Sequence, residues 1–176
     1  VANLRRLAKF LDLQIAIPAS EKACHFEDRW QRCWGDKMTP RQAKFTLFMA
    51  EKAAATCFSK DEPYGIIGFG NGGYMATKIF AYCLAPRYTP RMQWIVTVGA
   101  AKLWSQGVSV PGSLKRCRPI TLVAGKRDRY NYQRDQSYFQ HLRRKGAEIS
   151  IVVFDGGHEL PFGPLVSALR KHLELP

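Results

Sequence analysis

Apolar residues recur along this chain with two different periods, and the switches between them mark out its elements. Leu4, Leu7 and Phe10 stand at helical spacing over residues 2–10, with Arg5, Arg6 and Lys9 on the other faces. Leu13, Ile15 and Ile17 then alternate and stop at Pro18, which predicts a strand. Residues 19–38 hold no period and predict a loop, with Trp30 and Trp34 as anchors. Thr39-Pro40-Arg41-Gln42 predicts a helix start, with threonine as cap, proline first in the helix and glutamine three residues after the cap. That helix runs to about Phe58, with Phe45, Phe48, Met49 and Ala53 as its apolar stripe.

Tyr64 to Phe69 is a short apolar run that enters a glycine cluster, Gly70-Asn71-Gly72-Gly73. Tyr74, Met75, Ile79, Phe80, Cys83 and Leu84 then form a second helical stripe, ending before Pro86. Trp94 to Val98, Ile120 to Ala124 and Ile149 to Phe154 predict three more strands. Gln136 to Lys145 predicts a helix stopped by Gly146, and Leu165, Leu169 and Leu173 mark a last helix. Strands that are apolar throughout and alternate with helices imply a parallel sheet covered on both faces. Ligands of such sheets bind at the carboxyl ends of the strands. The chemistry is therefore expected after Phe69, after Ala124 and after Phe154.

Composition narrows the partners. The 176 residues suit one domain spanning 1–176, and 46% apolar residues suffice for a core. No apolar run reaches the roughly 18 residues of a membrane span, so no transmembrane segment is expected. The balance of 27 Lys plus Arg against 14 Asp plus Glu, a net charge of +13, favours an anionic small molecule or a polyanion as partner. A solvated basic surface with no dedicated partner accounts for the charge equally well, and no block of five consecutive cations marks a nucleic-acid tail. The five cysteines form no CxxC pair, so a zinc or other metal site is not expected, and no cofactor is expected either. Cys57 and Cys83 fall in helical apolar patterns and read as core residues, whereas Cys24 and Cys33 could be bridged in an oxidising compartment. A periplasmic or secreted location is favoured over a cytoplasmic one on that ground. The chain starts at Val1 without a methionine, which suggests that residues preceded it.

The three strand ends carry chemistry. Gly68-Phe69-Gly70-Asn71-Gly72 lies between a strand and a helix, the setting of a nucleophile elbow, G-x-S-x-G, but its middle residue is Gly70. A phosphate-binding turn is the other reading of such glycines, though the Lys-Ser/Thr of a P-loop is absent. Gly125-Lys126-Arg127-Asp128-Arg129 places a carboxylate able to orient a histidine, or merely to neutralise the cations around it. Asp155-Gly156-Gly157-His158 places a histidine before the last helix, with Asp155 as an alternative acid. His25, His141 and His172 read as structural or surface residues.

These motifs carry a resemblance. From about Leu11 to Pro176 the chain resembles the α/β-hydrolase superfamily, in particular its small esterase and polyhydroxyalkanoate-depolymerase-like branch. The stretch from Gly68 to Ala76, GFGNGGYMA, is similar to that branch's GFSNGGYMA with one residue changed, and Arg32-Cys33-Trp34 faintly resembles an RCW segment. The resemblance implies an α/β fold, a mostly parallel sheet with helices on both faces, here lacking the N-terminal strands. It implies Asp128 as acid, His158 as general base, Asn71 as an oxyanion-hole residue and Gly70 as a vacant nucleophile position. It further implies a strand between Leu13–Ile17 and Tyr64–Phe69, to be supplied by an additional segment or chain unless those two strands pair directly.

Glycine at the elbow closes the acyl-enzyme route, because His158 has no hydroxyl to deprotonate. The leading expectation is a non-catalytic binding protein of hydrolase fold, with Lys126, Arg127 and Arg129 drawing an anionic ligand to the site. The alternatives are a carboxylic-ester hydrolase with an unusual or engineered Ser-to-Gly site, and a basic module for nucleic acid or another polyanion. Lys115, Arg116 and Arg118 precede a strand and are expected at the other end of the sheet.

Overall fold

A computed structural model describes residues 2–15, 23–26, 29–32, 39–59, 61–84, 88–100 and 112–173. Helix α1 (Ala2–Leu11) is followed by a two-stranded antiparallel hairpin, β1 (Ala23–Phe26) and β2 (Arg29–Arg32). Helix α2 (Pro40–Cys57), strand β3 (Tyr64–Phe69), helix α3 (Asn71–Ala81) and strand β4 (Met92–Val98) come next. Strand β5 (Ile120–Gly125), helix α4 (Tyr132–Arg144), strand β6 (Ile149–Phe154) and helix α5 (Phe162–Leu173) complete the order.

Strands β3, β4, β5 and β6 lie side by side in that order, all parallel, as the uniformly apolar strands predict. Alternate residues of each strand serve opposite faces. Ile95 and Leu122 join Ala43 and Leu47 of α2, Met75, Ile79 and Phe80 of α3, and Tyr138 and Leu142 of α4 in one core layer. Val96, Val98 and Val123 join Leu7 of α1 and Leu165 and Leu169 of α5 in the other. Helices therefore cover both faces. Among the described residues no helix is long and apolar enough to cross a membrane.

Several expectations are corrected. The predicted loop over 19–38 contains the β1–β2 hairpin, whose four-residue strands are too short to show an apolar alternation. Leu13 and Ile15 pack onto the α1–α5 layer but form no strand, and residues 16–18 lie outside the described ones. Helix α2 begins as predicted, with Gln42 N–H donating to Thr39 Oγ1 and the Thr39 N–H donating back to Gln42 Oε1. Its buried face is the wrong one, however. Ala43, Leu47 and Ala54 are enclosed in the core layer shared with Met75, Ile79 and Phe80 of α3, while Phe45, Phe48 and Met49 lie on other faces of the helix and are exposed.

Helix α4 starts at Tyr132, earlier than the apolar periodicity indicated, because its first turn buries a carboxylate, Asp135, instead of an apolar side chain. Cys57 is exposed, and Cys83 is joined to Cys117 in a disulfide. Both departures have one cause: each cysteine sits at or beyond a helix end, where periodicity no longer reports burial. Cys24 lies in β1 opposite Gln31, and Cys33, with any bridge between them, lies outside the described residues, as does Trp34.

Candidate functional site

The carboxyl ends of all four parallel strands converge on one imidazole. At the end of β3 the chain reverses into α3 so tightly that a Cβ on Gly68 would lie 2.6 Å from the Gly72 carbonyl oxygen. Gly70 occupies the corner with φ +51° and ψ −117°, a region that residues bearing a Cβ adopt only under strain. Its N–H donates to the Val98 carbonyl, tying the turn to β4. Asn71 opens α3, where the first-turn amides point back toward the strand end.

The loops after β5 and β6 are laced together by main-chain bonds. Lys126 N–H donates to the Phe154 carbonyl and Arg127 N–H to the Gly156 carbonyl. This lacing brings Asp128 to His158, whose Nδ1 lies 2.8 Å from Asp128 Oδ2. The acid is buried and the histidine half-exposed. Burial pushes the Asp128 carboxyl upward, but hydrogen bonds from Asn131 and His158 outweigh it and hold its pKa below the ordinary value. An ionised Asp128 then accepts from Nδ1–H, which leaves the His158 Nε2 lone pair as a hydrogen-bond acceptor. That nitrogen lies 3.1 Å from the point where a Cβ on residue 70 would stand.

Four residues that sequence reasoning passed over hold this pair in place. Asn131, itself buried, donates its backbone N–H to Asp128 Oδ1 at 3.1 Å and its side-chain amide to Oδ2 at 2.8 Å. Tyr74 Oη donates to Asn131 Oδ1 at 2.9 Å, linking α3 to the acid. Burial raises the Tyr74 pKa to about 12, so the phenol stays protonated and orients the amide with its nitrogen toward the carboxylate. Phe69 stacks on the imidazole, with ring centroids 5.0 Å apart. Gly99, at the end of β4 with φ +56°, makes room for the ring, because a Cβ there would lie 2.8 Å from His158 Nδ1. A glycine directly after a buried strand was the one signal available for this fourth strand end.

The remaining predicted residues are more peripheral. Lys126, Arg127 and Arg129 are exposed on the turn around Asp128. Arg127 pairs with Asp155 at 3.5 Å, and both side chains are largely solvated. Asp128, not Asp155, is the carboxylate within hydrogen-bond reach of His158.

The pattern of the serine hydrolase (FSH1) family matches residues 8–166. The chain belongs to that family. No curated protein sequence matches it. Solved structures of α/β-hydrolase fold superpose over most of the chain. A carboxylesterase from Mesorhizobium loti covers 100% of it, using 81% of its own length, at 16% identity and a TM-score of 0.70. An acyl-protein thioesterase 2 from Zea mays covers 83% with 73% of its own length, at 14% identity and a TM-score of 0.60. An uncharacterised Bacillus cereus protein covers 97% at 18% identity and a TM-score of 0.66, and the chain spans only 54% of that protein's length. At such identities the likeness is one of fold: a parallel α/β-hydrolase sheet with helices on both faces.

Proposed function

We propose that this member of the serine hydrolase family is non-catalytic and uses its site to bind an anionic small molecule. One observation carries the reading. His158 Nε2 faces position 70, 3.1 Å from where a side chain would begin, and the residue there is glycine. The base is in place and the group it would deprotonate is missing. Deleting the nucleophile from a comparable hydrolase lowers turnover roughly a million-fold.

What is left has the chemistry of a receptor. Nε2 accepts a hydrogen bond from a ligand hydroxyl or water, and the α3 start presents main-chain dipoles that favour negative charge. Exposed Lys126 and Arg129 at the rim raise the local concentration of an anionic ligand. A serine-reactive fluorophosphonate probe tests the reading on the intact chain. No labelling is expected, and labelling at any residue of this site would overturn it.

A second reading, ester hydrolysis once a serine is present, is supported by the Asp128–His158 contact at 2.8 Å. It expects the Gly70→Ser variant to label with the probe and to hydrolyse p-nitrophenyl esters.

A further inference from the structure

Away from the site, α1 and α5 pack side by side and neither helix carries an acidic residue. Together they expose Arg5, Arg6, Lys9, Arg170 and Lys171. The cations are not scattered. The Arg6 guanidinium lies 4.1 Å from the Phe162 ring centroid, Phe162 meets Phe10 edge to face at 5.6 Å, and Arg170 lies 6.0 Å over Phe10. The run Arg6–Phe162–Phe10–Arg170 thus bridges both helices, and Phe10 at its middle is 55% exposed.

Stacking on a ring holds a guanidinium by its face and leaves its N–H edges free for oxyanions. An exposed aromatic ringed by such cations combines an apolar wedge with phosphate-binding charge, the two contributions by which peripheral proteins sit on lipid headgroups. A nucleic acid would use the ring face for base stacking, but Arg170 already lies over a face of Phe10. Insertion of a ring edge between headgroups requires no free face. We propose that the α1–α5 face docks the protein on an anionic phospholipid surface, with Phe10 as the wedge and Arg5, Arg6, Lys9, Arg170 and Lys171 as headgroup contacts.

Co-sedimentation of the intact chain with vesicles tests this. Binding is expected to equimolar phosphatidylserine–phosphatidylcholine vesicles, to weaken steeply with salt, and to be lost on pure phosphatidylcholine. The Arg5→Glu, Lys9→Glu double variant should bind about thirtyfold more weakly or worse, at roughly a fivefold loss for each headgroup cation removed. Phe10→Ala should weaken binding several-fold without changing the salt dependence. Lys115→Glu with Arg116→Glu makes the same change in net charge on another exposed segment, and should bind like the parent. Equal loss in both double variants would mean that net charge alone drives binding, and overturns the proposal. Equal binding to neutral vesicles overturns it too. So does tighter binding to DNA or RNA oligonucleotides that the α1 variant abolishes, since the face would then belong to nucleic acid. Circular dichroism of each variant separates a lost contact from a lost fold.

Discussion

Asn131 grips both oxygens of Asp128, giving its backbone N–H to Oδ1 and its side-chain amide to Oδ2. The carboxylate is buried, so these bonds do what water does for an exposed one. They also leave Oδ2 aimed at the histidine.

Asn131→Ala removes the side-chain donor and keeps the main-chain one. A buried charged acceptor that loses one bond should cost about 1–3 kcal/mol, measured by urea unfolding at neutral pH. The acid side of the stability profile should move as well. Asp128 has a lowered folded pKa, so its contribution is present above the unfolded carboxylate value and is lost as pH falls through the folded one. In the variant that pKa rises toward the unfolded value, so the acid-side loss becomes smaller and is complete at higher pH. An unchanged acid profile would remove Asn131 from this role.

Gly99→Ala adds a methyl group 2.8 Å from His158 Nδ1 at a backbone φ of +56°. The left-handed backbone alone should cost about 1–2 kcal/mol. The methyl would also crowd Asp128 Oδ2 at 3.1 Å, so the Asp128–His158 pair must adjust and the His158 NMR signals should shift far more than those of His141 on α4. A His158 spectrum that matches the parent would contradict the close packing.

His172 gives the fold a separate pH dependence. It stacks on Trp94 at 5.5 Å, and its Nε2 lies 2.8 Å from Thr121 Oγ1. Burial, then the nearby Lys171 charge, lowers its pKa from 6.5 to about 4. The unfolded chain therefore takes up a proton at a pH where the folded one does not. Stability from neutral His172 is complete above pH 6.5 and drains away as pH falls toward 4. The melting temperature should drop across that window, and His172→Phe should flatten this part of the profile.

The disulfide between Cys83 and Cys117 closes a loop of sequence separation 34, from just past α3 to just before β5. Chain-entropy arguments give such a cross-link about 4 kcal/mol. Reduction, or Cys117→Ser, should lower the melting temperature by roughly 10 °C. The Asp128–His158 pair lies at the opposite end of the sheet, so the histidine signals should stay in place below that temperature. A melting curve indifferent to reductant would show that the bridge is not formed in solution.

Strand positions were the most legible part of the fold. β3 and β6 coincide with their apolar runs because helices on both faces of the sheet bring side chains from both sides of each strand, such as Ile66 and Ile67 or Ile151 and Val152, against a core layer. The capping box of α2 was equally readable, since Thr39, Pro40 and Gln42 act locally. The buried face of α2 was not: Phe45 and Phe48 look like core side chains, yet the core layer shared with α3 encloses Ala43 and Leu47. The β1–β2 hairpin was missed because ladder bonds, not side-chain alternation, define it.

Around the imidazole the same division holds. The sequence by itself determined the strand–turn–helix at Gly70, the order of Gly70, Asp128 and His158, and the placing of each at a strand end, because turns and periodicity are written locally. Only the tertiary structure decided which carboxylate meets His158, that Asn131 and Tyr74 hold it, and that Gly99 makes room for the ring. Those contacts join residues far apart in the chain, such as Tyr74 with Asn131 at a separation of 57, and no local pattern encodes such a pairing.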